Sequence, residues 1–204
     1  MTDESIPGGH TPSLADRFAP EPDVVQARHL VVGADTVRAY EAARHLDLTD
    51  VRGPLVGAAM WVRALPERWR HRGQGPPRTP TRMTLDDMVA ESEWVLLGEA
   101  PGSEVAAGVA GRFWKPVVQW RQVEPDRFTE FAEPGFGTIV LSLSARPYGM
   151  RSLVSYDLRV STTDRRTAVL FGRYWKTVAP FVASLQKATL RTIRTAAEHS
   201  VPIR

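Results

Sequence analysis

The sequence predicts an α+β fold in which a curved antiparallel sheet wraps around one long C-terminal helix, with two short helices after the first strand. The long helix is predicted from residues 164–198, where apolar residues recur at three- and four-residue steps, the spacing of one helix face. The sheet is predicted from residues 138–146 and 152–161, where apolar and polar residues alternate, as in a half-buried strand. Short turns between the strands indicate antiparallel pairing, so the apolar faces of sheet and helix are expected to bury each other.

The long helix has a recognisable start and one interruption. Thr162, Thr163 and Asp164 carry side-chain oxygens that suit the N-cap position. Pro180 lies inside the helix, where its missing N–H predicts a kink. The apolar stripe consists of Phe171, Tyr174, Trp175, Val178, Phe181, Val182, Leu185, Ala188, Thr189 and Ile193.

The start of the chain differs in composition from the rest. Residues 1–25 hold many prolines, glycines and acidic residues without apolar periodicity, which predicts a disordered or loosely packed N-terminal arm. Residues 26–200 are predicted to form a single domain, because this length suits one core. Within the domain, residues 27–33 are predicted to form the first strand, and residues 35–45 and 53–64 the two short helices.

The middle of the chain is dominated by strand patterns. A capping box that begins at Thr84 predicts a short helix. Residues 94–99 and 105–114 follow it on either side of a Pro-Gly turn, which predicts a hairpin. Gly108 and Gly111 lie inside the second of these strands and indicate a bend, a bulge or the close approach of another backbone.

The composition excludes several classes of protein. The chain has 204 residues, a net charge of +3 and no cysteine, so disulfides and cysteine-bound metals are excluded. The positive charge does not form a basic face, and nucleic-acid binding is not expected. No signal-peptide pattern and no run of roughly 18 apolar residues occurs, which predicts a cytoplasmic protein without an integral membrane segment.

Motifs that carry chemistry are not found. The Gly-x-Gly at residues 135–137 lacks a third glycine and a preceding strand, so a dinucleotide site is rejected. The five histidines are scattered without metal-ligand spacing. The sequence therefore predicts no cofactor, no metal and no catalytic residue.

Large, rigid side chains on the predicted sheet and helix are candidates to line an apolar pocket with a few polar tips. Core packing is the alternative for each of them. Arg112 needs a partner if it faces inward; that partner is either an ion-pair carboxylate, Glu99 or Asp157, or the acidic head of a ligand. The ten candidate residues are Trp61, Trp94, Arg112, Trp114, Leu141, Tyr156, Leu158, Tyr174, Val178 and Phe181.

Several segments of the chain carry a resemblance to a known superfamily. They are residues 34–48, Arg-Ala-Leu-Pro at 63–66, Gly-Arg-Phe-Trp at 111–114, Phe-Ala-Glu-Pro-Gly at 131–135, and Arg-Tyr-Trp at 173–175 with Pro180. With these, the chain resembles the SRPBCC superfamily of START/Bet v 1-like and polyketide cyclase/dehydrase-like proteins, in particular an uncharacterised bacterial subgroup. The resemblance implies the helix-grip fold and a hydrophobic cavity between the sheet and the long helix. It implies no particular ligand, because a fold does not fix a function.

Three functions agree with these patterns. The first is a non-enzymatic protein that binds a hydrophobic small molecule or lipid. The alternative is a polyketide cyclase- or aromatase-like enzyme, for which Tyr156, Arg112 and Tyr174 are the polar groups available. The second alternative is an interaction protein that uses the solvent-exposed, arginine-bearing side of the long helix or residues 66–82, an arginine-rich segment predicted to be an exposed loop.

Overall fold

The computed structural model describes residues 12–51 and 82–199. Within these ranges the chain forms helices α1 to α4, strands β1 to β6 and two short 3₁₀ helices. The helices are α1 (Leu14–Phe18), α2 (Thr36–Arg44), α3 (Leu85–Glu91) and α4 (Arg165–His199), and the 3₁₀ helices are Leu48–Asp50 and Pro125–Glu130. The strands are β1 (Val24–Val32), β2 (Val95–Ala100), β3 (Glu104–Gly111), β4 (Trp120–Arg121), β5 (Gly137–Tyr148) and β6 (Arg151–Thr162).

The strands form one antiparallel sheet, and the predicted α+β class with a long C-terminal helix is confirmed. The order is β1-β6-β5-β3-β2, with the two-residue strand β4 paired to β3. The longest ladder joins β5 to β6 through a tight turn that contains Gly149 at a φ of 62°, a conformation that glycine adopts without steric cost. β1 pairs with β6, so the first strand lies beside the last strand of the chain.

Helix α4 begins one residue after the predicted start and continues through Pro180. Its N-cap is Asp164, whose carboxylate accepts the backbone N–H of Thr167 at 2.8 Å and that of Gly135 at 2.7 Å. The cap therefore also ties the helix to the turn that leads into β5. Of the two short helices predicted after the first strand, α2 is confirmed, and residues 53–64 lie outside the described residues.

The face of the sheet that packs on α4 carries every second residue of the long strands. The β5–β6 register places Ile139 opposite Val160, Leu141 opposite Leu158, and Leu143 opposite Tyr156. These residues belong to the two apolar clusters that contact α4. The sheet and the helix thus bury their apolar faces against each other, as the alternating strands predict.

The opposite face of the sheet is also covered, which the alternating pattern does not predict. Val140 and Ser142 of β5 are buried there, where Val140 packs with Ala15 of α1 and Phe128 of the second 3₁₀ helix. Glu104 accepts the N–H of Leu14 at 3.0 Å and the hydroxyl of Ser142 at 2.6 Å. Both faces of the central strands are therefore inside the protein.

Helix α1 lies in the segment predicted to be a loosely packed arm. Ser13 and Asp16 form a capping box at its start, and Ala15 and Ala19 are almost completely buried. Arg159 of β6 binds Asp16 at 2.7 Å and the carbonyl of Ala19 at 3.2 Å. Residues 12–25 thus pack on the sheet or belong to β1, whereas residues 1–11 lie outside the described residues.

Candidate functional site

The interface between the sheet and α4 contains two separate apolar clusters, one at each end of the helix. The aromatic cluster, at the start of α4, has Phe113 and Phe171 at its centre, with ring centroids 6.2 Å apart. Trp114 contacts Phe171 edge-on at 5.9 Å, and Tyr174 lies 6.0 Å from it. The predicted pocket residues Trp114 and Tyr174 therefore pack in this cluster as partly buried members.

The second, larger cluster lies at the other end of α4, and we call it the main cluster. It joins Ile193 and Leu190 of α4 to Tyr156 of β6 and Tyr40 of α2, all of them buried. Trp94, Leu141 and Leu158 pack against it and are partly buried. Leu158 contacts both clusters, which places it between them.

The middle of α4 covers the sheet incompletely. No residue of α4 from 172 to 185 is buried, although Phe171 before this stretch and Gln186 after it are. Opposite the helix, Leu141 and Leu158 are a facing pair on neighbouring central strands, yet both keep accessible surface. We call the region between this leucine pair and residues 172–185, where neither side is fully buried, the central gap.

Tyr156 provides a polar group at the edge of the central gap. The residue is 5% exposed, and its hydroxyl makes no hydrogen bond to any described residue. Burial raises the pKa of this phenol above its ordinary value, so the hydroxyl stays protonated at neutral pH. It is available as a hydrogen-bond donor and is unsuited to act as a base.

A pair of glutamines pins the helix to the first strand beside the same gap. Gln186 is fully buried and donates to the backbone carbonyl of Gln26 at 2.7 Å. The Gln26 amide donates to the Gln186 side-chain oxygen at 3.1 Å. The sequence patterns described above do not single out these residues. The signal that identifies Gln186 is the position of a glutamine between Val182 and Thr189 on the apolar stripe.

Arg112 does not form either predicted ion pair. Its guanidinium donates to the carbonyl of Gly135 at 2.9 Å and to the Gln119 side chain at 3.1 Å, and it lies 4.1 Å from the centroid of the Phe136 ring. Glu99 instead binds Arg44, and Asp157 binds Arg159. The prediction that Arg112 pairs with Glu99 or Asp157 is wrong. The guanidinium of Arg112 binds the carbonyl of Gly135, in the turn before β5, and each of the two carboxylates binds another arginine.

Arg112 and Trp114 also line a surface groove of about 440 Å³ near the start of α4. The groove includes Lys115, Arg166 and the capping residue Asp164. The carboxylate of Asp164 already occupies the N–H groups at the helix start. Of the predicted pocket residues that the structure describes, only Arg112 and Trp114 line this groove.

The remaining predicted pocket residues lie in different parts of the structure. Val178 lies on the stretch of α4 that borders the central gap and is partly buried. Phe181 is 36% exposed, because Gln186 occupies the sheet-facing position next to the Phe181–Leu185 flank of the stripe. Trp61 lies outside the described residues. The structure thus divides the candidates between two clusters. Trp94, Leu141 and Tyr156 belong to the main cluster, Trp114 and Tyr174 belong to the aromatic cluster, and Leu158 contacts both.

Among the described residues, no group of three or more His, Cys, Asp or Glu side chains is arranged to hold a metal ion. Across residues 12–51 and 82–199, no helix has the combination of length and apolar character that crossing a membrane requires.

No protein-family model matches the chain, and no curated protein matches it. Among solved structures, the chain is similar to Mll3558 from Rhizobium loti, with 10% identity, a TM-score of 0.33, and coverage of 81% of this chain and 96% of that one. It is similar to CalU16 from Micromonospora echinospora, with 10% identity, a TM-score of 0.29, and coverage of 85% and 83%. It is also similar to TTHA0849 from Thermus thermophilus, with 10% identity, a TM-score of 0.32, and coverage of 85% and 99%.

Proposed function

We propose that the protein binds a hydrophobic small molecule or lipid in the central gap, as the SRPBCC resemblance implies. The observation that supports this proposal most directly is the accessible surface on Leu141 and Leu158 in the middle of the sheet. Apolar side chains at the centre of a sheet are normally covered by the packed helix, since each buried CH₂ contributes about 0.8 kcal/mol. A guest between these leucines and α4 supplies the contacts that the helix does not make.

Tyr156 gives the guest its polar contact. Its hydroxyl has no hydrogen-bond partner among the described residues, and a ligand with one hydrogen-bond acceptor near its end provides one. The aromatic cluster lies toward the start of α4, and the glutamine pair joins α4 to β1, so we expect both to border the guest. Binding sites for apolar ligands have this composition, with mostly hydrophobic walls and a few placed polar groups.

Two measurements test the proposal. Native mass spectrometry of the freshly purified chain is expected to show a co-purifying small molecule. Dansyl undecanoic acid, a fluorescent fatty acid, is expected to bind and to raise the melting temperature, because a ligand of the folded state stabilises it. The proposal fails if the spectrum shows the bare chain alone and the fatty acid neither binds nor stabilises.

A matched pair of variants locates the site. Leu158→Trp adds a large ring at the centre of the gap and is expected to reduce fatty-acid binding at least about tenfold while the chain still folds. Val169→Trp places the same ring on α4 at a position that is 54% exposed, so binding is expected to stay unchanged. Equal binding by both folded variants excludes the central gap as the site.

The alternative, a polyketide cyclase-like enzyme, is favoured only by the free hydroxyl of Tyr156. The raised pKa of this group limits it to donating a hydrogen bond or a proton to a substrate carbonyl. An enzyme of this kind predicts that Tyr156→Phe abolishes turnover of a polyketide-like substrate and retains its binding. Unchanged turnover removes Tyr156 from the mechanism.

A further inference from the structure

A second groove lies outside the central gap, between the free edge of β1 and the C-terminal half of α4. It has a volume of about 530 Å³ and is lined by Ala27, Arg28, His29 and Leu30 of the strand and by Lys187, Leu190, Arg191 and Arg194 of the helix. We call it the edge groove. β1 is an edge strand of the sheet, because β6 is its neighbour on one side and the strand order begins with β1.

The edge of the β1 backbone faces this groove. Four consecutive residues of β1 line it, and because side chains alternate between the two faces of a strand, only the backbone edge is common to all four. The contacts of Gln186 fix the direction of pairing, since its amide lies 2.7 Å from the Gln26 carbonyl and 3.4 Å from the Tyr156 carbonyl. Both carbonyls therefore point between β1 and β6.

The open backbone groups follow from this direction. Tyr156 is the partner of Arg28 in the β1–β6 register, so Gln26 and Arg28 direct their N–H and C=O groups toward β6. Hydrogen-bonding direction alternates along an antiparallel strand. Ala27 and His29 therefore direct their N–H and C=O groups outward, where an added strand can pair with them.

A row of cations runs along this edge. Two contacts show that α4 and β1 run in the same direction here, because Gln26 binds Gln186 and the N–H of Gly33 binds Glu198. Between these contacts, α4 carries Lys187, Arg191 and Arg194 at one-turn intervals on one exposed face, and Arg28 faces them from the strand.

These charges are not neutralised within the described part of the chain. Among residues 12–51 and 82–199, none of Arg28, Lys187, Arg191 and Arg194 belongs to an ion pair within 4.0 Å. Glu198, on the same face of α4, is the one acidic residue among the 35 residues of the helix, and its carboxylate accepts the N–H of Gly33 at 2.8 Å. The edge groove is thus a positively charged channel beside backbone groups that pair with no other strand of the described residues.

We propose that the edge groove binds an extended acidic peptide segment, which adds to β1 as an antiparallel or parallel strand. Backbone pairing with Ala27 and His29 supplies the main contacts, as in other cases of strand addition. Acidic side chains on alternate residues of the peptide recur about every 6.6 Å, close to the roughly 6 Å between residues four apart on a helix. They therefore match the row formed by the α4 cations.

The charge of the groove selects this partner over a second copy of the chain. Pairing of β1 with the β1 of another copy brings the two sets of four cations together, and like charges across an interface oppose association. Cations on an edge strand also protect it from self-pairing. An acidic strand is attracted by the same residues that repel a second copy.

The test uses a fluorescently labelled ten-residue peptide of alternating Glu and Val and the full chain at low salt. Fluorescence anisotropy is expected to show binding that weakens as salt is added. The double variant Arg191→Glu/Arg194→Glu is expected to weaken binding at least about tenfold. The matched variant Arg173→Glu/Lys176→Glu makes the same charge change on exposed positions of α4 outside the groove and is expected to leave the affinity within about twofold.

A second arm needs no variant of the protein. Two further peptides carry methyl groups on the backbone nitrogens of every second residue, one on the Glu residues and the other on the Val residues. Each methylated set removes the hydrogen-bond donors of one edge of the peptide strand. Binding is expected to be abolished for the peptide whose methylated edge faces β1. The proposal is overturned if the unmodified peptide does not bind, if both methylated peptides bind as well as it does, or if the two double variants weaken binding equally. Binding of phosphatidylserine vesicles without binding of the peptide also overturns it and identifies a membrane surface as the partner.

Discussion

The fully buried side chain of Gln186 forms a reciprocal pair with Gln26, in which each amide donates to an oxygen of the other residue, at 2.7 and 3.1 Å. The pair is polar, yet it lies where the apolar stripe of α4 meets the sheet. It joins the first strand of the domain to its last helix across 160 residues of sequence. Because the Gln186 side chain is fully buried, water cannot fully replace its bonds to Gln26 when one partner is lost.

Gln186→Leu is therefore expected to lower the free energy of unfolding by about 1–3 kcal/mol, although leucine suits the stripe in size and polarity. The variant removes the shorter acceptor of the Gln26 amide, which keeps only the carbonyl of Ala179 at 3.4 Å, and one of the two donors to the Gln26 carbonyl. Urea unfolding measures the change. Lys176→Leu makes an apolar substitution at an exposed position of the same helix and is expected to change the stability by less than about 0.5 kcal/mol. A stable Gln186→Leu variant contradicts the structural role of the pair.

Gly108 and Gly172 differ in the space around them, so their alanine variants form a matched pair of tests. A Cβ atom at Gly108 would lie 2.5 Å from Phe128 and 2.7 Å from Leu97, whereas one at Gly172 meets nothing within 4 Å. Gly108→Ala is expected to destabilise the protein by about 1–3 kcal/mol, because the buried ring and leucine have to move. Gly172→Ala, in the middle of α4, is expected to stabilise it by about 0.5–1 kcal/mol. Thermal unfolding of the two variants is expected to shift in opposite directions, and shifts of equal sign contradict the packing of Phe128 on β3.

The elements that the sequence predicts well are long and strongly periodic. Helix α4 and strands β5 and β6 each carry enough repeats of one period to determine both the element and the face that it buries. These are local consequences of residue spacing. At Gly108 the close neighbours are the side chains of Phe128 and Leu97, and not the backbone that an interior glycine indicates.

The parts that the sequence does not predict depend on distant residues. Helix α1 has five residues, too few for a periodic pattern, and only its capping residues Ser13 and Asp16 signal it. The burial of Ser142 depends on Glu104, 38 residues away, which satisfies its hydroxyl. The exposure of Phe181 and the burial of Gln186 likewise depend on the position of β1, which residue spacing on α4 alone does not contain.

Two capping carboxylates predict the response to acid. Hydrogen bonds from the side chain and backbone of Thr167 and from the N–H of Gly135 lower the pKa of Asp164 from 3.8 to about 2, and hydrogen bonds from Ser13 lower that of Asp16 to about 2. A carboxylate whose pKa is lower in the folded chain stabilises the fold above its unfolded pKa and loses this contribution as the pH falls through its folded pKa. Stability is therefore expected to fall between about pH 4 and pH 2.

Asp164→Asn tests this origin of the acid response. Asparagine also caps helices, but it does not ionise, so the variant is expected to be less stable than the wild type above about pH 4 and to approach it near pH 2. Asp126→Asn, at an exposed position, serves as the control for loss of one carboxylate. Urea midpoints between pH 2 and pH 7 measure both. A constant difference between Asp164→Asn and the wild type across this range assigns the acid response to other groups.

Tyr40 and Tyr156 are both buried, at 1% and 5% exposure, and they predict opposite effects of removing a hydroxyl. The Tyr40 hydroxyl donates to Glu99, which Arg44 also binds, so Tyr40→Phe is expected to cost about 1–2 kcal/mol of stability. The Tyr156 hydroxyl makes no hydrogen bond to a described residue, so Tyr156→Phe is expected to leave the stability of the ligand-free chain unchanged or to raise it. Thermal unfolding of the two variants measures the difference.

The two variants are expected to differ in the opposite sense in their affinity for dansyl undecanoic acid. Tyr156→Phe is expected to bind it more weakly, because Tyr156 borders the central gap. Tyr40→Phe is expected to keep its affinity, because Tyr40 contacts Glu99 instead. A loss of stability in Tyr156→Phe as large as that in Tyr40→Phe, without a loss of affinity, shows that the Tyr156 hydroxyl serves the fold and not a ligand.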